Sequence, residues 1–99
     1  MNLITVKEAR AHLRLEEDVL TDALTLAVAA ANACAWTYLK RKEDYPEDDI
    51  PGDVKMAALL MAGFFIRDPD GAEAEKWLQG YPPFPVMNML YPYRDPALS

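Results

Sequence analysis

The chain has 99 residues and a formal charge of −6, with 52% hydrophobic residues and a single cysteine. That length fits one domain with one modest core. The acidic balance disfavours a domain that grips nucleic acid through phosphates, since such binding needs clustered Lys and Arg. Cys34 cannot form an internal disulfide, and no basic stretch followed by an apolar segment opens the chain, so a cytoplasmic origin is expected. The purely apolar run from 56 to 66 is far short of the roughly 20 residues that span a bilayer, which predicts a buried helix and no membrane partner.

Thr5-Val6-Lys7-Glu8 has the form of a capping box, in which Thr5 and Glu8 satisfy each other's backbone N–H groups. It predicts a first helix over about 6–13 with Val6, Ala9 and Leu13 on its apolar face and Lys7, Arg10 and Arg14 pointing elsewhere. Asp18 is the expected cap of a long second helix reaching about Lys40. Leu20, Leu24, Ala27, Ala31, Ala35 and Tyr38 give that helix one apolar stripe. Lys40, Arg41 and Lys42 then fall where cations complement the helix dipole, with phosphate contact as the alternative. A second stripe, Leu26, Ala29, Ala33 and Trp36, lies nearly opposite the first. A lone amphipathic helix needs only one, so burial on two sides is expected, within the domain or against a neighbouring copy.

The Pro- and acid-rich stretch 43–52 reads as a loop. Asp53 is the expected cap of a third helix over 54 to about 67, apolar all round and central to the bundle, with Leu60 buried. Gly63 inside it points to a close approach. A turn at 68–71 and a short fourth helix over 72–79 follow. The remainder, 81–99, holds five of the eight prolines and a short helical possibility at 86–90. These features predict an all-α bundle of four to five helices over 1–80 with a Pro/aromatic tail over 81–99. The tail either folds back over the core or docks on a partner; because the bundle's core can close without it and its prolines limit regular structure, the expectation is a docking element outside the independent fold.

No catalytic, metal or cofactor constellation is expected. His12 is the only histidine and Cys34 lies on the core stripe, where a thiol behaves as a small hydrophobe rather than a nucleophile. One Cys and one His cannot hold zinc. The acidic runs 16–18 and 47–49 lack the alternate spacing and glycine of a calcium loop, and the isolated glycines form no phosphate cradle.

Three segments together resemble the head-tail connector (adaptor) subunits of tailed bacteriophages. They are Thr5-Val6-Lys7-Glu8-Ala9-Arg10-Ala11-His12-Leu13-Arg14, Pro51-Gly52-Asp53-Val54-Lys55-Met56-Ala57-Ala58-Leu59-Leu60 and Leu90-Tyr91-Pro92-Tyr93-Arg94, in the family's order and with an Ala-rich helix between the first two. The acidic loop 43–49 and the insertion 68–83 depart from the pattern. The resemblance implies a structural protein rather than an enzyme, found in the virion at the head-tail interface and made in the bacterial host cytoplasm. It would form a homo-oligomeric ring under the portal protein, followed by a stopper or tail-completion protein, through which DNA passes without specific binding. Leu26, Ala29, Ala33 and Trp36 would then pack between subunits, and Phe84, Met87, Leu90, Tyr91, Tyr93 and Arg94 would dock on the portal or another partner. The opening 3–9 also resembles small helix-turn-helix regulators, but the acidic turn 15–18 and the Ala-rich helix after it do not suit a recognition helix.

Overall fold

A computed structural model describes residues 1–68 and 82–94, apart from the side chain of Phe84. The expected helix over 72–79, and all of the expected turn at 68–71 but its first residue, lie outside these residues. Within them the chain is all-α, with α1 (Val6–His12), α2 (Thr21–Leu39), α3 (Gly52–Arg67) and α4 (Phe84–Leu90) followed by a 3-10 turn, Tyr91–Tyr93. The helices pack as a flat bundle, 41 × 34 × 17 Å. Its smallest dimension corresponds to about two helix layers, and among the described residues no third layer covers the outer side of α2.

The capping box at the start of α1 is formed as expected. Thr5 Oγ1 accepts from the Glu8 backbone N–H at 3.1 Å, and Glu8 Oε1 accepts from that of Thr5 at 2.9 Å. Two other caps differ from expectation. Asp18 does not cap α2, because the chain makes further turns in which Arg14, Asp18 and Leu20 adopt left-handed φ values of 56°, 64° and 55°. Leu20 is the N-cap and contributes no side-chain bond. Arg10, expected to point away, holds this connection together. One guanidinium nitrogen donates to the carbonyls of Glu16 (2.7 Å) and Val19 (2.8 Å), and the other to Thr21 Oγ1 (3.3 Å). Helix α3 begins two residues earlier than expected, with Pro51 as N-cap and Asp53 inside the first turn.

The core is assembled from one face of each helix. From α2 come Leu24, Ala27, Val28, Ala31, Ala35, Tyr38 and Leu39; from α3, Val54, Ala57, Ala58, Met61 and Ala62. Positions one and two turns apart fill each list, and alanine on both sides lets the helices approach closely. Leu20, expected on the core stripe, is 50% exposed because it precedes the helix in a left-handed conformation. α3 is also not buried all round. Met56 is exposed, and Leu59 and Leu60 are half-buried, so Met61 takes the fully buried place expected of Leu60. At Gly63 a Cβ would come within 3.3 Å of Leu13 Cδ2 and of Arg67 Nη1, so the close approach there is by side chains.

Asn32 is the one buried polar residue among the described residues, and sequence reasoning passed over it. Its Oδ1 accepts from the backbone N–H groups of Leu3 (2.9 Å) and Ile4 (3.0 Å), and its Nδ2 donates to the Ile4 carbonyl at 3.1 Å. A buried amide must find partners. Here it finds them in the segment before α1, which has no helical partners for these groups, and so pins Leu3 and Ile4 into the core beside α2.

Candidate interaction surface

The outer face of α2 is the most unusual surface among the described residues. Between Asp22 and Lys40 the helix carries no charged side chain, and Ala23, Thr25, Leu26, Ala29, Ala30, Ala33 and Thr37 are all exposed. Leu26 is 73% exposed, more than any other large hydrophobic residue described. Beside it lies an apolar groove of about 400 Å³ between the N-terminal half of α2 and the end of α3, lined by Leu20, Ala23, Leu26, Ala27, Ala30, Phe65 and Ile66. Sequence reasoning found the stripe but missed the groove. Phe65 and Ile66 reach it only because α3 ends beside the start of α2.

Of the four residues expected between subunits, Leu26, Ala29 and Ala33 stand exposed on this face. Trp36 sits at its edge, half-buried, with its ring edge-on to Tyr45 at 6.1 Å and 70°. The basic triplet lies beyond the last helical turn rather than in it. Lys40 is the left-handed C-cap, and Arg41 stacks 3.9 Å over the Tyr45 ring.

The first turn of α3 makes two further polar contacts, one with α1 and one with the C-terminal segment. Lys55 Nζ lies 2.6 Å from Glu8 Oε2, and the Tyr93 hydroxyl donates to Asp53 Oδ2 at 3.3 Å. The Lys55 hydrogen bond holds the Glu8 carboxyl below its ordinary pKa, against the opposing effect of partial burial. Burial and the neighbouring Asp53 carboxylate push the Tyr93 phenol up. Arg94 lies 4.7 Å over the ring of Tyr38, tying the end of the described chain back to α2.

This packing corrects part of the expected docking set. Leu90 is fully buried in the chain's own core, as is Val86, so Leu90 is not available to a partner. Met87 is half-buried against that core, and Tyr93 and Arg94 are engaged within the chain. Tyr91 is 67% exposed and remains open to contact. The side chain of Phe84 lies outside the described residues. The described segment 82–94 therefore packs against the chain's own core, the first of the two arrangements considered, rather than standing apart from it.

His12 is exposed, whereas Cys34 is half-buried and its thiol is pushed up by burial, which weakens it as a nucleophile. Among the described residues no group of three His, Cys, Asp or Glu is placed to hold a metal, and no helix is long and apolar enough to cross a membrane. Comparison with protein-family models, curated proteins and solved structures finds no match to the chain.

Proposed function

We propose that the chain is a structural, non-enzymatic subunit of a homo-oligomeric ring at the head-tail junction of a tailed phage. It would join the portal protein to a stopper or tail-completion protein in the virion and extend the DNA channel. The observation that carries this reading is the uncharged outer face of α2, because an exposed Leu26 beside an apolar groove is what a subunit built to pack against neighbours presents. The sequence resemblance supports it further. Its three segments are distant in the chain, yet the middle one touches each of the others, through Lys55 to Glu8 and through Asp53 to Tyr93. A charge of −6 suits a wall past which DNA slides without sticking. The exposed Tyr91 is the best remaining candidate for a portal contact.

The helix-turn-helix alternative is less well supported. The exposed positions of α2 carry no basic or amide side chain between Thr21 and Leu39, and base reading depends on such groups. The test is assembly. Co-expressed with a portal protein encoded beside its gene, the chain should co-purify and appear as an added ring in electron micrographs. Salt-sensitive, sub-micromolar binding to duplex DNA without any ring would overturn the proposal in favour of a regulator.

A further inference from the structure

We propose that the free chain is an antiparallel homodimer through the outer face of α2. Along the outer side of that helix, Asp22, Leu26, Ala29, Ala33 and Trp36 follow one another at alternating spacings of four and three residues, and the C-cap Lys40 stands four beyond Trp36; the first four are exposed and the last two half-buried. Such spacing keeps side chains in one seam against a second helix, and a seam with alanine at its centre lets two backbones approach closely. The order of the residues specifies the second helix. Read from either end, the ridge runs charged, large apolar, small, small, large apolar, charged, with opposite signs at its two ends.

A second copy laid antiparallel, with Asp22 opposite Lys40, also places Leu26 opposite Trp36 and Ala29 opposite Ala33. Every position then has a complementary partner around a two-fold axis, as an isologous contact requires. Laid parallel, Asp22 would face Asp22 and Lys40 would face Lys40. The surroundings strengthen the same preference. Glu16, Glu17 and Asp18 precede Asp22 and outnumber Arg14 at the N-terminal end, while Lys40, Arg41 and Lys42 precede Glu43 and Asp44 at the other. Although two copies of an acidic chain repel overall, the uncharged centre of this face brings no like charges together.

The inference does not rest on the ring reading. Because the dimer covers the face assigned there to subunit contacts, a ring would form only after the pair separates. The test is sedimentation of the full chain across a wide concentration range. The expected mass is about 22 kDa, twice the 11.1 kDa chain, giving way to monomer on dilution. Leu26→Glu should remain helical yet dissociate at least about a hundredfold more readily, since its carboxylate would be buried unpaired only in the dimer. Asp22→Lys should weaken the dimer about three- to tenfold, and adding Lys40→Asp should restore it. That rescue is not expected of a parallel pair, in which each end faces its own like charge before and after the swap. A chain monomeric at every concentration would overturn the dimer. So would a dimer indifferent to Leu26→Glu, or a ring-sized mass without a dimer; the last would leave the ring proposal standing.

Discussion

The two faces of α2 are made of nearly the same residues and meet opposite fates. Leu24, Ala27, Ala31 and Ala35 are buried, whereas Leu26, Ala29, Ala30 and Ala33 are exposed. Hydrophobicity does not distinguish them. Two features do: the inner face carries Asn32, which binds the Leu3–Ile4 backbone, and it is the side on which α3 packs. In an Ala-rich helix, the inward side is therefore fixed by polar anchoring and by the partner helix.

The sharpest test of the contrast replaces two leucines that lie two positions apart. Leu24→Ala should lower unfolding free energy by about 2–5 kcal/mol, because it opens a cavity in the core. Leu26→Ala should change it by no more than about 0.5 kcal/mol in the monomer. Urea denaturation at a concentration low enough to exclude self-association measures both. Equal losses would mean that the outer face is also part of the intrachain core. The C-terminal segment offers the same contrast in adjacent residues. Leu90→Ala should cost about 2–5 kcal/mol and Tyr91→Ala little, and a negligible loss at Leu90 would restore it to the docking surface.

Asn32 tests the anchoring half of the comparison. Asn32→Ala removes the partners of two backbone N–H groups and one carbonyl, at an expected cost of about 2–4 kcal/mol. Amide hydrogen exchange should then accelerate at Leu3 and Ile4 before it does in α3. If exchange there is unchanged, the N-terminal segment is held by its side chains, and the polar anchor adds little to what apolar packing supplies.

Where local chemistry decides the structure, the sequence was a sufficient guide. The Thr5–Glu8 capping box, the inner stripe of α2 and the all-α class all follow from residues within a few positions of one another. The failures lie where a distant residue intervenes. Asp18 looks like a helix cap, but Arg10 gathers the carbonyls of Glu16 and Val19 and delays α2 to Thr21. Asp53 looks like a cap too, yet it sits in the first turn and accepts the Tyr93 hydroxyl, a partner 40 residues away. The prolines of the C-terminal segment suggested an independent tail. Pro83 and Pro85 instead lie at the N-terminus of α4, where a missing backbone donor costs little. The candidate surface was half legible for the same reason: its stripe is local to α2, whereas its groove requires α3.

Glu8 provides the smallest expected effect and reports whether its ion pair with Lys55 contributes to the junction of α1 and α3. The carboxyl is bound by Lys55 and by the Thr5 backbone, and its folded pKa lies below the ordinary value of 4.5. Its charged form is therefore favoured by folding. This contribution is fully present above about pH 4.5 and is lost as the pH falls through the lower folded value. Both side chains of the pair are more than a third exposed, at 36% and 38%, so solvent screening holds the gain below about 1 kcal/mol. Glu8→Gln keeps an oxygen to accept the Thr5 N–H while removing the charge that Lys55 faces. It should lower stability slightly at pH 7 and converge with the native chain at low pH. The difference at pH 7 should also shrink in high salt, because an exposed ion pair is screened. A deficit that persists unchanged at low pH would instead assign the loss to the capping box, leaving the link between α1 and α3 to their apolar packing.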